Sequence, residues 1–420
     1  MSIFNELYSF MQDSRPNDVL FDQQWSLFND GKAGGIAGLD VNALGAWSIA
    51  NTSPDVVVAV IDTGIQLDHP DLEDNIWFNQ NEIPGNGLDD DDNGYKDDIT
   101  GWNFGGYGSL AGGSPDPYVP DGDYISHGTH VAGIIGATGD NDIGIAGVTW
   151  DVQIMPLEAN LALPTKGRDG PPIYDPKYDY FGKAIRYAVD NGASVINISQ
   201  GINYYGQSYD EWKEENPIYH EWRFDAIKYA VDNGVSVVIS AGNSPSEIGA
   251  NNTIMPGIYS EMLDGVISVG AITNTGKPTE YTNWGEFVDI SAPGGEKPEV
   301  MDVQPLGGEE ENSPLGILST NKNDNYASLY GTSQSAPIVT GAIALMLDID
   351  PSLTPAKIEQ ILEESATTSQ LLFEEGLGDG LILDIEAALR MTSELLEAST
   401  CRPYLHFGSS NKLSPISPFW

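Results

Sequence analysis

Tyr187-Ala188-Val189-Asp190-Asn191-Gly192-Ala193-Ser194-Val195 recurs 42 residues later as Tyr229-Ala230-Val231-Asp232-Asn233-Gly234-Val235-Ser236-Val237. Each copy closes a helical pattern with Asn-Gly, a pair that tolerates the left-handed conformation ending many helices, and then enters a β-branched run. Two successive helix-to-strand units of this kind support a parallel sheet with helices on its faces. Two copies are too few for a solenoid. Outward from this repeat, β-rich runs at Val56–Ile61, Val152–Leu157, Ser194–Ser199, Val235–Ser240, Val266–Gly270 and Phe287–Ser291 alternate with helical patterns at Val131–Thr138, Phe181–Asn191, Glu221–Asn233 and Ser335–Asp348. The alternation predicts an α/β fold in three layers, with a mostly parallel central sheet and helices on both faces.

Residues 1–45 form an irregular lead-in, residues 46–397 carry the alternating pattern, and residues 398–420 form an irregular tail. Polar, Gly- and Pro-rich stretches at 79–123, 160–180, 202–220 and 294–316 read as surface insertions on one domain. The 420 residues include 62 acidic and 18 basic side chains, a net charge of -44. Such a surface repels nucleic acid, whose phosphates need clustered lysine and arginine, and it attracts cations. No apolar run approaches the length of a membrane span, so no membrane partner is expected. The first residues lack the basic and apolar regions of a signal peptide. Cys401 is the only cysteine, so no intrachain disulfide exists.

Three short segments carry chemistry. Val56–Ile61 runs into the carboxylate of Asp62-Thr63-Gly64; His127-Gly128-Thr129-His130 opens a helical pattern; Gly331-Thr332-Ser333-Gln334-Ser335-Ala336-Pro337 leads a loop into an apolar helix. Their order is acid, base, nucleophile, and a serine hydroxyl attacks only when an imidazole takes its proton and a carboxylate holds that imidazole. Each piece has a plainer reading. A strand-ending aspartate often forms a turn, and the same tripeptide occurs in aspartic proteases, which need a second copy that is missing here. His127 and His130 lack a third metal ligand at suitable spacing. Ser333 alone reads as a helix cap, and Ser335 is its chemical rival. Ser240-Ala241-Gly242-Asn243 ends another strand and offers an amide for a developing oxyanion. Ser199-Gln200-Gly201 ends a further one and offers main chain to an extended substrate.

Jointly these motifs resemble the subtilases, the subtilisin-like serine proteases, over residues 45–395. The resemblance rests on Asp62-Thr-Gly, His69-Pro-Asp-Leu72, His127-Gly-Thr-His-Val-Ala-Gly133, Asn197-Ile-Ser-Gln-Gly201, Ala241-Gly-Asn243 and Gly331-Thr-Ser333. It implies a subtilisin-like fold and a monomeric serine endopeptidase acting on proteins or peptides, without an organic cofactor. Ser333 is then the nucleophile, His127 the general base, Asp62 its orienting carboxylate and Asn243 an oxyanion donor. Ser199, Gln200 and Gly201 are the implied substrate-binding residues, and Ile254 falls where the family shapes the pocket for the residue before the scissile bond. Gln334-Ser335 departs from the common Met-Ala and Ser-Gln-Gly from the common Ser-Leu-Gly, which bears on substrate preference. The family implies an extracellular location and a pro-segment. The N-terminal sequence shows no signal peptide and leaves an intracellular life open, and residues 1–45 are short for a usual pro-domain.

Calcium is expected in two places. Asp89, Asp91 and Asn93 alternate before Gly94, like the first half of an EF-type loop, with Asp97 beyond; the twelfth position is Thr100 instead of glutamate. Six aspartates around one glycine repel one another unless a cation joins them. The family resemblance places a second site at Asp71 and Asn141, with backbone carbonyls supplying much of the rest; apart from the resemblance, the N-terminal segment offers Asp22 or Gln23 as a contributor. A non-proteolytic calcium-binding protein is the competing reading of the acidic run.

Overall fold

The computed structural model describes residues 15–105, 113–117, 126–159, 179–203, 208–245, 254–255, 257–297 and 313–400. Strand β1 (Ser53–Asp62) lies inside a nine-stranded sheet with β2 (Trp102–Gly105), β3 (Val152–Ala159), β4 (Val195–Ile198), β6 (Ser236–Ser240), β8 (Val266–Ile272), β9 (Ile290–Pro293), β12 (Thr367–Thr368) and β13 (Leu381–Ile382). Their order is β12-β13-β9-β8-β6-β4-β1-β3-β2, and every pairing is parallel except β12 with β13. Two short antiparallel ribbons join it: β5 (Ile202–Asn203) with β7 (Ile254–Met255), and β10 (Ile317–Asn321) with β11 (Asn325–Leu329).

A strand alternates its side chains between faces, and β1 feeds two cores at once. Val56, Val58 and Val60 join one core, whereas Val57, Ala59 and Ile61 join the other. Helices α1 (Ala43–Trp47), α2 (Ser126–Gly136), α6 (Thr332–Ile349), α7 (Pro355–Ser365) and α9 (Ile385–Thr400) supply the first core. Helices α3 (Tyr180–Asp190), α4 (Tyr209–Glu215) and α5 (Pro217–Asp232) supply the second. A small helix, α8 (Gln370–Glu374), packs near the sheet edge. This is the three-layer arrangement that the strand–helix alternation predicts; the structure adds that β4 and β6, the strands following the two copies of the repeat, are neighbours.

Helix α6 is buried on all sides from Thr332 to Leu347, as an apolar sequence without a polar face requires. Lead-in residues Phe21, Trp25 and Leu27 are buried in the same core as α6, although their backbone forms only a 3-10 helix at Phe21–Gln23 and a turn at 25–27. Helix α4 lies within the polar stretch 202–220, and Ser208 and Glu211 form a capping box at its start. Helix α9 ends at Thr400; Cys401 and the remaining tail lie outside the described residues.

Candidate active site

The parallel sheet collects the C-terminal ends of β1, β4 and β6 along one rim, where open α/β sheets form crevices. Asp62 is the last residue of β1 and fully buried. Its Oδ1 lies 2.7 Å from His127 Nδ1 and accepts the Thr63 N–H at 2.7 Å. Helix α2 can approach this closely because Gly128 has no side chain; a Cβ there would collide with the Gly64 carbonyl. The turn and the helix start are laced together by Gly128 N–H to Thr63 Oγ1 (3.0 Å) and Gln66 N–H to Thr129 Oγ1 (3.0 Å). Burial works against a charged imidazole, but the Asp62 charge and hydrogen bond outweigh it and hold His127 above its ordinary value.

His130, one turn along, is fully buried and donates from Nε2 to the carbonyls of Ile317 and Ala327, each at 3.0 Å. Burial first, and then the nearby His127, push it down to about 3. It is a neutral structural histidine tying α2 to β10 and β11. His69 is likewise buried, bonded to the Asn325 carbonyl and the Asp71 N–H.

Ser333 sits in the first turn of α6 with 9 % of its surface exposed. Its Oγ donates to the Ser199 carbonyl at 2.9 Å, so in this conformer the hydroxyl is turned toward β4. Ser335, its rival, is fully buried. Its Oγ faces Gly294, where an added Cβ would stand 2.7 Å away. Gly331 precedes the helix at φ +151°, and a Cβ there would meet Gln334 Oε1 at 2.9 Å and Asn243 Nδ2 at 3.1 Å. Gln334 itself is buried against this turn, with 1 % exposure.

Asn243 follows β6 and is exposed. Its Oδ1 accepts from both the N–H and the hydroxyl of Thr332, each at 2.9 Å. Two donors on one oxygen settle which end of the amide faces α6, leaving Nδ2 as the end available to a ligand. Thr332 Oγ1 also accepts the Gly242 N–H at 3.0 Å, and Asn283 braces the loop through Ala241 O and Ser244 N.

The proposed substrate-binding residues divide. Ser199 is occupied by Ser333, whereas Gln200 points inward and donates from Nε2 to Ala159 O (2.9 Å) and Ile61 O (3.4 Å). Gly201 is exposed and leads directly into the β5–β7 ribbon. Ile254 belongs to that ribbon, but its side chain lies outside what is described.

In the acidic run, Asp97 accepts the N–H groups of Asn86 and Gly87, and Asp89 accepts those of Asn93 and Gly94. Those carboxylates shape the loop, as does Glu82, which accepts the Asp90 N–H on Oε1 (2.6 Å) and the Asp97 N–H on Oε2 (3.0 Å). The oxygens that converge, within 4.8 Å of one another, come from Glu82, Asp91 and Asp98. Asn93 Nδ2 bridges Asp91 (3.1 Å) and Asp98 (3.0 Å). Among the described residues no lysine or arginine is bonded to these three carboxylates, and such a set suits a hard divalent cation. The EF-type spacing does not point to Glu82, which lies before the 12-residue loop, or to Asp98, which sits at the loop's tenth position, outside the alternating Asp89, Asp91 and Asn93.

At the other expected site, Asp71 is buried and accepts from Asn141 Nδ2 (2.9 Å), Ile145 N (3.0 Å) and Tyr326 OH (3.0 Å). The lead-in does reach this loop, through Asp18: its Oδ2 accepts Asp140 N at 2.8 Å and its buried Oδ1 has no hydrogen-bond partner. Asp22 pairs with Arg15 instead, and Gln23 is exposed. A second buried carboxylate with an orphaned oxygen fits a cation here as well.

The profile of the Subtilase family matches residues 53–380. An extracellular basic protease of Dichelobacter nodosus is 31% identical over 387 residues, which cover 89% of this chain and 55% of that protein. A thermophilic serine proteinase of Bacillus sp. is 30% identical over 321 residues, 76% of this chain and 59% of its own. The chain thus spans about half the length of the curated relatives it matches. Among solved structures, proteases from Pseudoalteromonas arctica superpose with a TM-score of 0.63 at 28% identity, covering 90% of this chain and 100% of theirs. A cold adapted subtilisin-like serine proteinase, at a TM-score of 0.53 and 22% identity, shares the fold. With its profile matched from β1 to beyond α6, the chain belongs to the subtilase family.

Proposed function

We propose that this chain is a serine endopeptidase that cleaves proteins or peptides through Asp62, His127 and Ser333. The observation that carries the reading is the 2.7 Å contact of buried Asp62 with His127 Nδ1. It keeps the proton on Nδ1 and leaves Nε2 as the basic nitrogen. For attack, the Ser333 hydroxyl leaves the Ser199 carbonyl, turns to Nε2 and gives up its proton as Oγ bonds to the scissile carbonyl carbon. The resulting oxyanion is met by Asn243 Nδ2 and by the Ser333 N–H, a first-turn donor with no intrahelical acceptor. His127 then passes its proton to the departing amine, leaving an acyl-enzyme. Water repeats the sequence, with His127 as base again and Ser333 as leaving group.

Calcium fits as a structural ion held by Glu82, Asp91 and Asp98, with Asn93 beside them, and by Asp18, Asp71 and Asn141. Bound there, it would neutralise carboxylates that otherwise repel one another. The names of the extracellular relatives support an extracellular setting. Among the described residues no helix is long and apolar enough to cross a membrane.

The test is labelling by an active-site phosphonate together with cleavage of an unfolded protein. Wild type and Ser335→Ala should label and cleave, and Ser333→Ala should do neither. Labelling that survives in Ser333→Ala rejects the assignment.

A further inference from the structure

Behind Ser333 runs a buried relay that the bond-making steps do not use. Thr340 Oγ1 lies 2.9 Å from Asn197 Oδ1 and 3.1 Å from the Ala336 carbonyl, donating to them. Asn197 Nδ2 donates to Ser199 Oγ at 3.0 Å. Ser199 Oγ donates to the Ser333 carbonyl at 2.9 Å, and Ser333 Oγ returns a bond of the same length to the Ser199 carbonyl. Thr340 and Asn197 are fully buried and Ser199 is 3 % exposed. Thr340 has one proton, shared between Asn197 Oδ1 and the Ala336 carbonyl; with Asn197 receiving on oxygen and giving from nitrogen, the single Ser199 proton is left for Ser333.

Helix geometry says why the relay ends there. In an α-helix the Ser333 carbonyl would accept the N–H four residues on, and that residue is Pro337, which has none. The proline ring also crowds the carbonyl four residues before it and turns it outward. A buried carbonyl needs a donor, and Ser199 supplies one from a neighbouring strand. A hydroxyl serving only to satisfy that carbonyl could bond it from anywhere. Here the same residue's main chain also holds the attacking oxygen.

We infer that Ser199 is a positioning residue for Ser333: its hydroxyl pins the peptide group of the nucleophile, and its carbonyl holds the nucleophile's hydroxyl in a resting rotamer. This rests on the peptidase reading above. The relay from Thr340 through Asn197 keeps the Ser199 proton aimed at Ser333, so its effect is on how Ser333 is presented and not on how substrate is held.

Full-length wild type, Ser199→Ala, Ser199→Thr and Thr340→Val are compared by kcat and KM, normalised to sites titrated with a phosphonate. Ser199→Ala should lose about 10- to 100-fold in kcat, the scale of a misplaced reacting group, with KM within about twofold. Ser199→Thr should recover most of the loss, and Thr340→Val should show a smaller loss of the same kind. Pro337→Ala returns an N–H to the Ser333 carbonyl, so in that background Ser199→Ala should cost less. A merely structural role would lower the titratable fraction and Tm while leaving kcat per titrated site unchanged. An active wild type with that outcome overturns the inference alone. A wild type that neither cleaves nor labels overturns the peptidase reading and this inference with it. Should Ser199→Ala fail to fold, Thr340→Val decides: an unchanged kcat per site overturns the inference.

Discussion

Thr332 grips Asn243 Oδ1 with two donors, its N–H and its hydroxyl, each at 2.9 Å. The neighbour of the proposed nucleophile thereby aims the proposed oxyanion donor. Losing an oxyanion-hole amide typically costs 10²–10³ in kcat, so Asn243→Ala should fall by roughly that factor with little change in KM. Thr332→Val keeps the N–H but loses the hydroxyl and should cost about tenfold, the rate equivalent of one hydrogen bond. The double variant should be no worse than Asn243→Ala alone; additive losses in steady-state kinetics would sink the aiming role.

Asp62 outweighs the burial of His127 and raises its affinity for the proton. The base must be neutral to act, so kcat/KM should rise with pH through a midpoint above the ordinary imidazole value. In Asp62→Asn the attraction disappears while burial remains, so the midpoint should fall below that value. The plateau rate should drop by about 10⁴. Rate profiles from pH 5 to 9 read both effects, and an unmoved midpoint would count against the pairing.

His130 is held neutral in the fold down to about pH 3. Between its unfolded value near 6.5 and about 3, the unfolded chain binds the extra proton, so this residue removes stability as pH falls through that window. His130→Asn, which does not titrate, should show a shallower decline of Tm between pH 6.5 and 4 than wild type. Parallel curves in calorimetry would show that His130 contributes nothing to acid lability.

Calcium bound at about 1,000 times its Kd stabilises the folded state by about 4 kcal/mol. Chelation should therefore lower Tm by several degrees, roughly 5 °C or more. Glu82→Gln and Asp98→Asn should shrink the calcium-dependent part of that shift. Asp97→Asn, whose carboxylate is engaged with Asn86 and Gly87, should retain it. A Tm indifferent to chelator rejects structural calcium altogether.

Much of the fold is legible in sequence because buried parallel strands are written as continuous β-branched runs. Val56–Ile61 and Val266–Gly270 fall inside β1 and β8 on that signal alone. Strand β2 is hidden, because Trp102-Asn-Phe104 sits in a stretch of Asp, Asn and Gly that reads as loop. The β10–β11 hairpin is similarly masked by its polar turn, where Asn323 and Asp324 adopt positive φ. At the site, Asp62, His127, Ser333 and Asn243 stand out because each joins a regular element to a turn. The Ser199–Ser333 exchange does not, since it links residues 134 positions apart through main-chain atoms that any sequence would carry. Glu82, Asp98 and Asp18 are equally silent: a carboxylate's letter does not say which way it folds.

Placing the proposed nucleophile at the head of a helix buried on every side also bears on how the proposed activity would be lost. Amides deep in such a helix exchange with solvent only when the whole domain opens, unlike those in frayed ends or surface loops. Ser333 should therefore have no partly melted state in which it lingers, misaligned, before the rest gives way. On heating, hydrolytic competence and the slowest-exchanging amides of Ile338–Leu347 should disappear in one cooperative event.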